Sequence, residues 1–107
     1  MVALPDEVKR RALAAAEALA RVAPVRAAFL FGSYAQERAD RWSDIDVAAF
    51  MDGIETWNLA RQTRLIVKVQ KEVGFDVEPH LFPSGALEHA QPGSFAAQIL
   101  AHGVRIL

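Results

Sequence analysis

The sequence contains no cysteine, no surplus of basic charge and no long apolar run. Without Cys, disulfide frameworks, thiolate zinc sites and cysteine nucleophiles are excluded. Twelve Lys and Arg against 13 Asp and Glu give a net charge of −1. Proteins that bind duplex nucleic acid by neutralising phosphates normally carry a basic surplus, so no nucleic-acid partner is expected.

The distribution of apolar residues also limits the class of protein. No apolar run approaches the roughly 20 residues that span a bilayer, so no membrane association is expected. The first residues, which include Asp6 and Glu7, do not resemble a secretion signal, and we expect a cytoplasmic protein. A length of 107 residues with 52% hydrophobic residues predicts one globular domain over residues 1–107, with a single core.

Hydrophobic periodicity and turn residues divide the chain into alternating helices and strands. Helices are predicted over residues 5–22 and 55–73, strands over 27–31, 44–51 and 75–82, short helices within 84–107, and a last short strand at 104–107. This order predicts a two-layer α/β domain built around a small sheet.

One segment carries a chemical pattern: Gly32-Ser33, ten residues, then Asp44-Ile45-Asp46. Carboxylates two residues apart in a strand point to the same face and can bind divalent cations such as Mg²⁺. Gly32 allows close backbone approach, and Ser33 offers a hydroxyl and N–H groups to a phosphate. Each half alone is more often an exposed strand end or a turn. Together they predict a nucleoside-triphosphate site.

A third acid is expected from the strand predicted over residues 75–82. Its alternation places Asp76, Glu78 and His80 on one face. A carboxylate here would act as a base or ligate a metal, whereas the alternative is a polar edge that faces solvent. His80 shares the face but is not expected to be catalytic.

These motifs, the Val77-Glu78-Pro79-His80 strand and the closing residues 103–107 resemble the minimal nucleotidyltransferase family of the DNA polymerase β superfamily. The resemblance covers essentially the whole chain. It implies an α/β nucleotidyltransferase fold with a small mixed β-sheet and helices packed on one side. It also implies transfer of a nucleoside monophosphate, AMP from ATP in particular, to a hydroxyl acceptor with two Mg²⁺ ions.

Carried over to this chain, the resemblance assigns a role to each motif residue. Gly32 and Ser33 would hold the triphosphate, and Asp44 and Asp46 would bind metal. Glu78 is favoured as the third catalytic and metal-binding carboxylate, with Asp76 as the runner-up. The chain departs from the family after Ser33, since Gln36-Glu37 stands where members often carry Arg-Gly.

Short members of the family resemble the antitoxin half of bacterial toxin–antitoxin pairs, whose partner is a helical HEPN-domain ribonuclease. They neutralise the toxin by complex formation, by AMP transfer to a toxin Tyr, or by both. The resemblance therefore implies either an enzyme or a catalytically weak module that sequesters its partner. A domain of this length is expected to need that partner, or a second copy of itself, to complete its site.

Further cations and an aromatic residue have more than one interpretation. Arg61, Arg64, Lys68 and Lys71 form a basic stripe, which more often is a solvated helix face than an RNA or protein surface. Arg38, Arg41 and Trp42 lie between the two motif halves. The two cations could reach phosphate and Trp42 could stack on a base, although solvation and packing are the commoner roles.

Overall fold

A mixed sheet of four strands forms the centre of the fold in the computed structural model, which describes residues 5–35, 39 and 43–107. The strands are β1 (Val25–Phe31), β2 (Ile45–Met51), β3 (Val77–Pro83) and β4 (Val104–Arg105). Their order in the sheet is β3-β2-β1-β4. The central strand β1 pairs antiparallel with β2 and with β4, whereas β2 pairs parallel with β3.

The helices of the described residues are α1 (Asp6–Ala20), α2 (Leu59–Val73), α3 (Ala86–His89) and α4 (Phe95–His102), and a 3-10 turn (Ile54–Thr56) precedes α2. The second helix begins later than predicted because the Asn58 side chain caps it, accepting a hydrogen bond of 2.8 Å from the Arg61 N–H. None of these helices is both long and apolar enough to cross a membrane.

The two faces of the sheet carry different layers. Strand residues that alternate along β1 and β2 pack against α1 and α2 on one face; they include Leu30, Val47, Ala49 and Met51. The residues between them, Phe29, Ala48 and Phe50, contact Ala96 and Ile99 of α4 on the opposite face, which we call the α4 face.

This arrangement confirms the predicted mixed-sheet α/β fold, with both long helices on one side. The short helix α4 adds a second, partial cover that the expectation of helices on one side did not include. It explains why the second half of β2 is wholly apolar, since that strand is buried on both faces.

The third strand begins at Val77, two residues later than predicted. Gly74 ends α2 with a φ of 122°, and the Val77 N–H donates to the Gly74 carbonyl at 3.2 Å. This turn holds Phe75 and Asp76 outside the strand. Strand alternation therefore does not apply to Asp76.

Replacing Leu30 with Ala tests the core. Leu30 is fully buried between the sheet and the long helices, so truncation leaves a cavity and is expected to lower the free energy of unfolding by about 2–5 kcal/mol. Leu59→Ala is the control, since Leu59 is 78% exposed and its loss is expected to cost about 0.5 kcal/mol or less. Urea unfolding measures both, and equal losses would contradict the assigned core.

Candidate functional site

The parallel pairing of β2 and β3 brings two acidic residues together from distant parts of the chain. Asp46 lies directly opposite Glu78 in the strand register, and on its other side it pairs with Phe31 at the end of β1. Asp46 alternates with Ala48 along β2, so its side chain lies on the α4 face. The end of β1 and the starts of β2 and β3 thus meet at one edge of the α4 face.

A third ligating side chain joins this pair. One ligand atom each from Asp46, Glu78 and His80 lies within 4.8 Å of the others. His80 Nε2 is 3.3 Å from Asp46 Oδ1. We call these three residues the ligand cluster. The spacing and the donor types fit a divalent cation, which takes carboxylate oxygens and can also take an imidazole nitrogen.

The electrostatics of the cluster also favour a cation. Burial raises the pKa of Glu78 above its usual range, and the neighbouring charges of Asp44 and Asp46 raise it further. Asp44 is exposed and lies just before β2, near enough to Glu78 to raise the pKa of Glu78. Repulsion among three carboxylates is relieved when a divalent cation binds between them. The structure thus brings Asp44, Asp46 and Glu78 together, while their catalytic roles stay a prediction.

Gly32 is packed against the cluster. It adopts a φ of 75°, a left-handed conformation that favours glycine, and a Cβ at this position would lie 2.6 Å from Asp46 Oδ2. A side chain at this position would force the Asp46 carboxylate to move, so glycine lets the turn after β1 approach Asp46 this closely. Ser33 follows in the same turn and is half-buried. The predicted phosphate-binding turn and the carboxylates are therefore adjacent.

Comparison with known proteins agrees with this geometry. The family model described as polymerase beta, nucleotidyltransferase, matches residues 15–107. The chain belongs to this nucleotidyltransferase family. Its members generally use a nucleoside triphosphate and a divalent metal, so nucleotidyl transfer is the general activity of the domain.

The fold of this domain also occurs in a solved structure. The domain matches a crystal structure from Sulfolobus solfataricus, provisionally assigned as a nucleotidyltransferase, with a TM-score of 0.57 and 21% identity. The match covers 78% of this chain and 76% of the other, and at this identity it shows a shared fold. No curated protein gives a significant match.

Asp76, the runner-up for the third carboxylate, lies outside the ligand cluster of the nucleotidyltransferase domain. Its carboxylate is held by Arg11 of α1, whose Nη1 donates to Asp76 Oδ2 at 2.8 Å. Arg11 Nη2 also donates to the Val73 carbonyl at 2.9 Å. The expectation that Asp76 shares a face with Glu78 and His80 is therefore wrong for Asp76, because the strand begins one residue after it.

The Arg11 pair predicts a pH-dependent stability. The hydrogen bond from Arg11 holds the pKa of Asp76 below its usual range. The stabilisation is therefore complete above the unfolded pKa of about 3.9 and is lost as the pH falls through the lower folded value. Asp76→Asn is expected to cost about 0.5–1 kcal/mol at pH 7, since the Asp76 side chain is 51% exposed.

Urea unfolding of wild type and Asp76→Asn between pH 7 and pH 3 measures this difference. The gap between the two proteins should narrow towards the acidic end. Metal affinity should be unchanged, since Asp76 does not contact the cluster. A constant gap, or a loss of metal binding in the variant, would contradict the structural role assigned to Asp76.

A cavity of about 270 Å³ adjoins the Gly32 turn. Residues from the end of β1 and from α4 line it: Phe31, Gly32, Ala35, Phe95, Gln98, Ile99, His102 and Gly103. Phe95 is 51% exposed and packs edge-on against Phe31 and His80. Phe31, Phe95 and Gly32 therefore border both this cavity and the residues of the cluster.

Other predicted features lie away from the site or outside the described residues. Gln36-Glu37, Arg38, Arg41 and Trp42 fall outside the described residues. The basic stripe lies on α2, where Arg64, Lys68 and Lys71 border a shallow groove. This helix covers the sheet face opposite the cluster, so the stripe is not part of the site.

His80 is the site residue that sequence reasoning undervalued. The sequence does carry a signal for it, because His80 follows Glu78 by two residues and so shares its face of the strand. Both side chains alternate with buried Val77 and Pro79 along β3. The contact with Asp46 depends on the pairing of β2 with β3, which a single strand pattern does not specify.

Proposed function

We propose that this nucleotidyltransferase domain transfers AMP from ATP to a protein hydroxyl, the side chain of a Tyr on a helical HEPN-type partner. The observation that supports this most directly is the placement of Asp46 opposite Glu78, beside a turn that Gly32 brings close to the Asp46 carboxylate. Acids from two strands next to a phosphate-binding turn are what nucleotidyl transfer requires.

Each site residue has a role in the proposal. Asp44 and Asp46 would hold two Mg²⁺ ions, and Glu78 would be both a ligand and the group that helps to activate the attacking hydroxyl. Gly32 and Ser33 bind the triphosphate through backbone N–H groups and the Ser33 hydroxyl. Bound Mg²⁺ supplies positive charge against the charge that develops at the α-phosphate.

The proposed reaction exchanges one phosphorus–oxygen bond for another. The acceptor oxygen bonds to the α-phosphorus, the bond between the α-phosphorus and the bridging oxygen breaks, and pyrophosphate leaves. The acceptor proton passes to Glu78 and then to solvent.

The site is open enough for an acceptor on a separate protein. The side chains of His80 and Asp46 are 32% and 22% exposed, and Asp44 is exposed at the mouth of β2. A Tyr on a partner surface can therefore reach the carboxylates. The proposal places the reaction in the cytoplasm, where ATP and such a partner would both be present.

Incubation with labelled ATP, Mg²⁺ and a helical HEPN-domain protein as the acceptor tests the proposal. We expect the partner to gain the mass of one AMP on a Tyr, and we expect Asp46→Asn to abolish that gain. Asp52→Asn is the matched control, because Asp52 pairs with Arg26 beyond the other end of β2. Absence of the gain with wild type would reject the enzymatic proposal.

A catalytically weak binding module is the second candidate. It is favoured by Gln36-Glu37, which places an acid where family members often carry Arg-Gly. In this case the partner is captured and neutralised by Asp46→Asn as well as by wild type, without AMP transfer. A pull-down of the HEPN protein with both forms distinguishes the candidates, since only the enzyme needs Asp46 for neutralisation.

A further inference from the structure

We infer that His80 supplies a nitrogen ligand to the cation held by Asp46 and Glu78, and that this ligand gives Mn²⁺ an advantage over Mg²⁺ at the site. The inference rests on the proposed metal-dependent function and deepens it. It changes the expected cation site from carboxylates alone to a mixed set of oxygen and nitrogen donors.

The distances suit two ligands of one ion. Ligands at about 2.1–2.2 Å from an octahedral ion are about 3.0 Å apart when adjacent and a little over 4 Å apart when opposite. His80 Nε2 lies 3.3 Å from Asp46 Oδ1, close to the adjacent spacing. The whole ligand cluster fits within 4.8 Å, so small side-chain adjustments bring its three atoms around one ion.

The imidazole is held in position by aromatic neighbours. Its ring packs edge-on against Phe31 at 4.9 Å and against Phe95 at 5.9 Å between ring centroids. Phe31 pairs with Asp46 across the sheet, so the same strands position the ring and the carboxylate. A ring packed on two sides loses less rotational freedom when it binds a cation.

The chemistry of the donor atoms determines which cation benefits. Mg²⁺ is a hard ion that prefers oxygen ligands and gives up water reluctantly. Imidazole nitrogen suits first-row transition metals better than it suits Mg²⁺. Among these metals Mn²⁺ also takes carboxylate and water oxygens, as Mg²⁺ does, so it can use both kinds of donor at this site. Replacing one oxygen donor by His80 Nε2 therefore raises the affinity for Mn²⁺ relative to Mg²⁺.

The alternative is a hydrogen bond alone, in which His80 Nε2 donates to Asp46 and never contacts the ion. In that case the imidazole orients the carboxylate and affects both cations equally. The two roles therefore differ in the ratio of the two affinities.

His80→Gln separates these roles. The Gln amide N–H can still donate to Asp46, but it offers no imidazole nitrogen to a metal. We expect calorimetric titration to show that the ratio of Mn²⁺ to Mg²⁺ affinity falls about tenfold or more in this variant. His89→Gln is the matched control, since His89 is exposed on α3, and it should leave the ratio unchanged.

Pulsed electron paramagnetic resonance of Mn²⁺ bound to wild type provides a second measurement that does not depend on a variant folding. A directly bound imidazole gives a ¹⁴N coupling, which should be present in wild type and in His89→Gln and absent in His80→Gln. No ¹⁴N coupling in wild type, or an unchanged affinity ratio in folded His80→Gln, would overturn the inference.

The experiments distinguish failure of the His80 inference from failure of the proposed function. Binding of both cations that requires Asp46 but not His80 overturns only the His80 inference. A His80-dependent Mn²⁺ preference without AMP transfer supports the inference and rejects the enzymatic proposal. Failure of wild type to bind either cation overturns both.

Discussion

Asp46→Asn is expected to reduce nucleotidyl transfer by about 10²–10³-fold or more, with folding preserved. Asn has nearly the same shape as Asp but no charge, so the variant removes the carboxylate that lies at the centre of the ligand cluster. Asp46 is the residue that Glu78, His80 and Gly32 all adjoin. Affinity for divalent cations should fall together with transfer.

The control for Asp46→Asn is Asp52→Asn, one strand length away. Asp52 follows β2 and accepts hydrogen bonds of 3.0 Å and 2.9 Å from the Arg26 Nε. Its loss should leave metal affinity and transfer unchanged. Titration calorimetry and a labelled-ATP assay measure the two effects. Equal metal affinity in wild type and Asp46→Asn would show that the cation does not bind at the cluster.

Gly32→Ala is expected to abolish metal and nucleotide binding at a modest cost in stability. The left-handed backbone at Gly32 costs a non-glycine residue about 1–2 kcal/mol. The added Cβ would also lie 2.6 Å from Asp46 Oδ2, which must then move. Because Asp46 moves, the spacing that lets the cluster hold one ion is lost.

Gly53→Ala is a matched control for the backbone part of this effect. Gly53 has a φ of 77°, almost the same as Gly32, but a Cβ there would meet no atom within 4 Å. Both variants should lose similar stability in thermal unfolding, whereas only Gly32→Ala should lose metal binding. Retained metal affinity in Gly32→Ala would mean that close approach of the turn to Asp46 is not required.

Asp46→Asn and Gly32→Ala test two different properties of the site, the chemistry of a ligand and its position. Asp46→Asn changes the chemistry of a ligand and leaves the backbone alone, whereas Gly32→Ala leaves every ligand chemically unchanged and displaces the Asp46 carboxylate. If both lose cation affinity, the site depends on the meeting of the β1 turn with β2, as well as on the acids themselves.

Local sequence patterns were sufficient for much of the fold. Period-two and helical periodicities are set by neighbouring residues, so the long helices and the three long strands were predicted with boundary shifts of a few residues. The spacing of Gly32-Ser33 to Asp44-Ile45-Asp46 indicated a turn and two carboxylates that could act together, because these residues are close in the chain.

Only the structure distinguishes the positions of Asp76 and Glu78, since it places Glu78 beside Asp46 and Asp76 against Arg11. Both are acids near the start of one predicted strand, and alternation gave them the same face. The turn at Gly74 delays β3 to Val77, and Arg11 from α1 then holds Asp76. A residue 65 positions away in the sequence determines this, so no local pattern could indicate it.

The sequence by itself determined that two strands carry acids beside a glycine turn, since that information lies in short, contiguous motifs. Only the tertiary structure placed His80 against Asp46, put α4 across the second face of the sheet and brought Glu78, rather than Asp76, next to Asp46. The physical reason is that strand pairing fixes register between segments about 30 residues apart, and that register follows from packing of the whole core rather than from the preferences of either strand.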